Sequence, residues 1–192
     1  MRPLTPDDLL SLEEFAGRRR ELFEAHVRYL DRYRRVRVGP RLALVFENRQ
    51  TLWFRVQDVL RVARLADPAR VREELAVYNR LLPGPDMLQA ALLIESPDEP
   101  GWKALRGDEL RLRMGGAAVP AELVTCRPED CAVGAAHWVH FHLDDNARRR
   151  FADFRHPAHF EVVHPAYKHE SGPLADDVRQ SLLEDLELSD RD

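Results

Sequence analysis

The stretch ELRLRMGGAAVPAELV, residues 109–124, decides the fold. Leu110, Leu112 and Met114 alternate with Arg111 and Arg113, the period of two that puts one side of a strand on a core and the other on solvent. Gly115-Gly116 supplies the positive backbone torsions of a tight hairpin turn, and 118–124 reads as the returning arm. A strand that turns straight back on itself makes an antiparallel sheet. Outward from the hairpin, 88–95 before it and 134–143 and 159–164 after it also read as strands.

The chain before this sheet is helical. Thr5-Pro6-Asp7-Asp8 combines a capping hydroxyl, a first-turn proline and carboxylates at the positive end of a helix dipole, with Leu9, Leu10, Leu12 and Phe15 as the apolar face. A second helix is expected over about 18–35, where Leu22, Phe23, His26, Val27 and Leu30 recur at helical spacing, and Gly39-Pro40 closes the helical region. Leu42 to Phe46 is a continuous apolar run that reads as a buried strand. Thr51 then caps a helix carrying Leu52, Val56, Val59, Leu60 and Ala63. Asp67-Pro68 opens another that carries Val71, Leu75, Tyr78 and Leu82, and Pro83-Gly84-Pro85 stops it. After the sheet residues come a short helix over 144–154 capped by Asp144 and a closing helix over 174–188 with Val178, Leu182, Leu183 and Leu186 inward. Helices first, then a largely antiparallel sheet, then a closing C-terminal helix is an α+β plan. It predicts one α+β domain over 1–188, with a helical part to about 83, a sheet part from about 86, and 189–192 as a frayed tail.

With 192 residues, 44% of them hydrophobic and 32% charged, the chain is apolar enough to bury a core and too mixed in charge for wholesale disorder. The longest apolar runs are far shorter than the ~20 residues of a membrane helix. No signal peptide is legible after Met1, so the expected address is the cytoplasm. A net charge of -4 gives no general attraction to nucleic acid or to anionic lipid. The charge is nonetheless uneven. Nine arginines between Gly17 and Arg41 face only Glu21, Glu24 and Asp31, and eight carboxylates between Glu170 and Asp192 face only Arg179 and Arg191. The two ends are expected to attract each other, within one chain or across a homodimer. Arg28, Arg32 and Arg35 share a helix face beside Tyr29 and Tyr33, but such a stripe is too generic to argue for nucleic acid. Cys126 and Cys131 are the only cysteines; they read as ordinary thiols of a reducing compartment.

Two constellations carry chemistry. At the first, Glu47, Asn48 and Arg49 leave a buried strand and enter a helix N-terminus, where unpaired N–H groups and a forked guanidinium suit an anion. Gln57, Asp58, Glu74 and Tyr78 on the adjoining helices complete a ligand-binding candidate for a small anion or a partner's acidic group. A bracing role for Arg49 against acidic helix faces is the competing reading. At the second, a strand period places His140 and His142 on one face. With His159 from a neighbouring strand they form a candidate transition-metal site, the alternative reading of the chain as a metal-binding enzyme or sensor. Neither Glu73 nor Glu74 has a histidine three residues on, and no glycine-rich phosphate loop or nucleophile elbow is present, so no cofactor is predicted and whether the chain is an enzyme stays open.

Phe46-Glu47-Asn48-Arg49 with Thr51, Gln57-Asp58, then Glu74, Tyr78-Asn79, Leu81-Leu82-Pro83, Ile94-Glu95 and His164-Pro165-Ala166-Tyr167 resemble a bacterial family catalogued as domain of unknown function 3501. The resemblance covers nearly the whole chain. It implies a protein often encoded beside rubrerythrin and an iron-sulfur protein, and so an accessory or binding role in a redox or oxidative-stress system, with those proteins as possible partners. It also raises the junction above the histidine strand, because His137, Trp138 and His140 depart from the family pattern. His164 matches the pattern, as a packed hydrogen-bonding histidine or as a site residue.

Overall fold

The computed structural model describes residues 1–94, 107–124 and 136–188. Its elements are α1 (Leu12–Tyr29), β1 (Arg35–Val38), β2 (Leu42–Phe46), α2 (Arg49–Val62), α3 (Pro68–Asn79), β3 (Met87–Ile94), β4 (Leu110–Met114), β5 (Ala117–Val124), β6 (Ala136–His142), α4 (Asp145–Ala152), β7 (Ala158–His164), β8 (Tyr167–Glu170) and α5 (Asp176–Leu188). The eight strands form one antiparallel sheet in the order β1-β2-β3-β6-β5-β4-β7-β8. The α+β plan therefore holds, with the β4–β5 hairpin turning at Gly115-Gly116 as its sequence requires.

The N-terminal part differs from expectation in three places. Thr5 does begin a capped turn, but only Pro6–Asp8 is helical there. The long helix instead starts behind Ser11, whose hydroxyl accepts the Glu14 N–H while the Glu14 carboxylate accepts the Ser11 N–H, a reciprocal cap that overrides the earlier one. This helix runs through the region expected to hold two, ends in a wider π turn over Leu30–Arg34, and passes directly into β1, a strand too short and arginine-rich to be read from its pattern. Asn48, not Thr51, caps α2: its carbonyl Oδ1 accepts the N–H groups of Gln50 and Thr51, both at 3.0 Å.

One face of the sheet carries the main core. Leu44, Phe46, Leu88, Leu92, Leu112, Phe141 and Phe160 are buried there against Val178, Leu182 and Leu186 of α5 and Phe151 of α4. Phe46, Phe141 and Phe160 stack mutually with centroids 5.1–6.4 Å apart. Arg179 closes the α4 end: its buried guanidinium donates to the carbonyls of Arg150, Phe151, Asp153 and His156 at 2.6–3.0 Å, supplying the donors that the last turn of a helix lacks. A second, smaller core joins Leu4, Leu52, Val56, Leu60 and Leu75 between α2, α3 and the N-terminal segment.

The sheet curls until β8 meets the β1–β2 turn. The Tyr167 hydroxyl donates to the Val38 carbonyl at 2.6 Å and accepts the Arg41 N–H at 3.1 Å. Gly39 makes this approach possible. Its φ is +71°, and a Cβ there would lie 2.4 Å from the Tyr167 oxygen. His164, buried in the β7–β8 turn, accepts the Ala166 N–H on Nδ1 at 3.1 Å, the packed role of the two considered for it. Cys126, Cys131 and the expected 189–192 tail lie outside the described residues.

Candidate functional site

The polar strand-to-helix junction is built on Glu47, Asn48 and Thr51, all buried. Glu47 extends β2 by one residue, its N–H donating to the Gln89 carbonyl at 2.9 Å, so its side chain leaves the sheet on the face opposite the main core. Its carboxylate accepts the Thr51 hydroxyl at 2.5 Å and pairs with Arg55 at 2.6 Å. Burial pushes this carboxyl up from its ordinary range, and Arg55 and Thr51 oppose that. Arg55, a partly exposed residue with no motif around it in the sequence, lies across the Trp138 ring at 5.5 Å. Tyr78 lies in the same field. Desolvation and Glu74 raise its phenol, and Arg55 counters. Glu47 is thus bound by Arg55, and Glu47, Glu74 and Arg55 all act electrostatically on the Tyr78 phenol.

Arg49 points the other way. Its guanidinium pairs with Asp8 at 2.7 Å and donates to the Arg2 carbonyl at 3.2 Å. Arg49, together with the Thr5 N–H, holds the Asp8 carboxyl down at about 2. Gln57 is fully buried and grips both backbone groups of Leu10, at 2.7 and 3.3 Å. Asn79 does the same for Leu4, and the Trp53 indole donates to the Asp8 carbonyl. Asp58 pairs with Arg19 of α1 at 2.8 Å and with Arg61 at 3.0 Å. Arg49, Gln57 and Asn79 therefore fasten the N-terminal segment to α2 and α3, and Asp58 ties α1 to α2.

On the inner side, Asn48 joins a buried network. Arg34, 2% exposed, is in direct contact with Asp185 of α5 through Nη1 and Oδ2. Arg34 Nε donates to the Tyr29 hydroxyl oxygen at 2.9 Å. Asn48 Nδ2 donates to the same oxygen at 2.9 Å and to Asp185 at 3.3 Å. The expected attraction of the basic and acidic ends is realised within the chain by this pair and by Arg32 with Asp177 at 3.3 Å.

Beside the junction lies an open hollow of about 730 Å³ lined by Ala25, Arg28, Tyr29, Asp31, Arg32, Tyr33 and Gln50. Arg28 and Arg32 are exposed and one helical turn apart. Arg32 stands 5.0 Å over the Tyr33 ring.

The histidine strand runs along the outer face. Gln89, His140 and Glu122 are directly opposed on β3, β6 and β5, in line with Glu47. The Gln89 amide nitrogen donates to the Leu81 carbonyl at 2.8 Å, so its oxygen accepts His140 Nε2–H at 3.0 Å. Burial and then His142 lower the His140 pKa, favouring neutral imidazole. His142 lies 3.3 Å from Glu122. His159 sits on β7, three strands from β6, or about 14 Å by ordinary strand spacing, and pairs with Glu170. The three histidines do not converge, and no group of three metal-ligating side chains occurs among the described residues. Nor, among them, is any helix long and apolar enough to cross a membrane.

A crystal structure described as a novel protein of unknown function from Burkholderia pseudomallei is similar to this chain, with 27% identity over 96% of this chain and 100% of that one and a TM-score of 0.84. No curated protein matches. The family described as Protein of unknown function (DUF3501) matches residues 3–186, which include the strand-to-helix junction, the N-terminal segment fastened to it and the α5 carboxylate beneath it. Matched over nearly all its length, the chain belongs to the DUF3501 family.

Proposed function

We propose that this chain is a cytoplasmic accessory protein of a redox or oxidative-stress system, and that it binds a small anion or an acidic group of a partner at the strand-to-helix junction. The observation that supports this reading is the division of labour among the junction's guanidinium groups. Arg34, Arg49 and Arg55 are each engaged by a carboxylate of the chain itself. Arg28 and Arg32 flank the hollow and face solvent, and Arg32 offers its terminal nitrogens because Asp177 takes its Nε. Planar guanidinium groups recognise oxyanions by paired hydrogen bonds, and two of them on adjacent helical turns form a bidentate receptor. The redox setting rests on the family resemblance rather than on any group in the site.

Calorimetric titration of the wild type with inorganic phosphate tests the reading, alongside Arg28→Ala/Arg32→Ala. Saturable binding that weakens at least tenfold in the double variant is expected. No saturable binding by the wild type, or equal binding by both proteins, would overturn it. The redox setting predicts that a strain carrying the double variant in place of the native gene survives hydrogen peroxide less well, and an unchanged survival curve would remove that part.

A further inference from the structure

We infer that the Tyr29 hydroxyl is the third donor of the hollow and that the group it recognises is a phosphate. This deepens the anion-binding reading above and rests on it. The inference comes from accounting for every hydrogen around one oxygen atom. Asn48 cannot be turned over, because its Oδ1 must accept two backbone N–H groups, from Gln50 and Thr51. Its nitrogen therefore faces Tyr29 and can only donate. Arg34 Nε, which has no acceptor form, donates to the same oxygen. Two N–H groups thus occupy the acceptor capacity of the Tyr29 oxygen, and its own O–H finds no acceptor among the described residues. Tyr29 is a wall of the hollow. A ligand oxygen placed there would accept that proton.

The surroundings favour a donor at this atom. The Arg34 guanidinium, 2.9 Å away through Nε and held in place by Asp185, withdraws charge from the phenol oxygen and strengthens its O–H as a donor. The tyrosine cannot swing aside without stranding two buried N–H groups, so the donor is pre-oriented. Arg28 and Arg32 come from successive turns of one helix edge, and Tyr29 lies at an adjacent position between them in sequence. Two guanidinium forks and a hydroxyl together offer more N–H and O–H hydrogens than the two oxygens of a carboxylate can take, and suit the several acceptor oxygens of a tetrahedral phosphate better.

Titration of the full chain with inorganic phosphate and with acetate, in the wild type, Tyr29→Phe and Arg28→Ala/Arg32→Ala, tests this. Phosphate binding weakened about tenfold or more in Tyr29→Phe, and acetate bound more weakly than phosphate by the wild type, are expected. Because Tyr29→Phe also removes an internal acceptor, the wild type labelled with ¹³C at tyrosine Cζ supplies a second readout, in which the Tyr29 resonance shifts with phosphate along the calorimetric isotherm. If the arginine variant loses phosphate while Tyr29→Phe binds within twofold of wild type and the Tyr29 resonance stays still, the tyrosine assignment falls and the anion-binding reading survives. If acetate binds as tightly as phosphate, the assignment to phosphate falls. If the wild type binds neither anion, both readings fall together.

Discussion

Replacing Asp185 by alanine should be among the most damaging single changes available to this protein. The carboxylate is 6% exposed and faces a guanidinium that is 2% exposed, and they touch on one edge while Nη2 reaches the other oxygen at 3.3 Å. Without Asp185, Arg34 retains the Tyr29 oxygen at 2.9 Å and the Ser181 carbonyl at 3.4 Å, neither of which carries a compensating charge. Removing one partner of a buried pair costs about 3–5 kcal/mol, most of it the penalty of the abandoned charge. At 2–4 °C per kcal/mol for a chain of this size, the melting temperature should fall by about 6–20 °C. Arg34→Met/Asp185→Leu, which removes both charges, should return to within about 2 kcal/mol of the wild type, since desolvation offsets most of the attraction in such pairs. Asn48 keeps its bond to Tyr29 in that variant. Urea unfolding followed by tryptophan fluorescence, with the m-value checked for constancy, of wild type, Arg34→Met, Asp185→Leu and the double variant gives the four corners of the cycle, with Asp185→Ala measured beside them. A loss under about 1 kcal/mol for Asp185→Ala, or single losses that simply add in the double variant, would refute the view that an isolated buried charge dominates this site.

Three further outcomes are expected. Gly39→Ala should destabilise the fold by about 1–3 kcal/mol, because it forces a positive φ on an L-residue and drives a Cβ into Tyr167, with Tyr167→Phe unable to relieve the backbone part; equal unfolding midpoints for Gly39→Ala and wild type would contradict this. Asp8, held at about 2 against an ordinary 3.8, binds its proton less tightly when folded than when unfolded. Its contribution, on the order of 1 kcal/mol after screening, is present above pH ~4 and lost as pH falls through about 2. Arg49→Ala should shrink that step, the Thr5 hydrogen bonds remaining, and speed proteolysis of residues 1–11 while leaving phosphate affinity intact. His26, packed face to face on Phe54 at 4.3 Å, has its pKa lowered by burial and then by Arg55, from 6.5 to about 4. Between those values the unfolded chain takes up a proton that the folded chain refuses, so stability should fall by on the order of 2 kcal/mol as pH drops through that window. His26→Leu should flatten that slope in pH-dependent unfolding, and an unchanged slope would assign it elsewhere.

The elements legible in the sequence were those whose signals are local. The β4–β5 hairpin, the Asp67-Pro68 start of α3, the Asp144 cap of α4 and the apolar stripe of α5 each follow from side chains within one or two turns of one another. The strands β1 and β8 were not legible, because four residues each are too few to establish a period, although Val36, Val38 and Tyr167 end up buried; their pairing depends on partners already in place. The junction was legible as a place and not as a geometry. Glu47 is paired by Arg55, whose charge also acts on Tyr78, and a lone arginine at one position of an amphipathic helix carries no signal of its own. Arg49 and Gln57 carry the residue types of an anion site and are spent on the N-terminal segment, a partner more than 40 residues away in sequence.

Residue order alone determined the α+β plan, the direction of the sheet and the polarity of its two faces, since hydrophobic period, capping and turn chemistry act over a few residues at a time. Only the tertiary structure decided which arginine is buried, which is bonded and which is left facing solvent. Nine arginines between Gly17 and Arg41 are chemically alike in sequence. What separates Arg34 from Arg28 and Arg32 is the arrival of Asp185 from α5, 151 positions later, and an ion pair's strength is set by the burial and distance that this arrival creates.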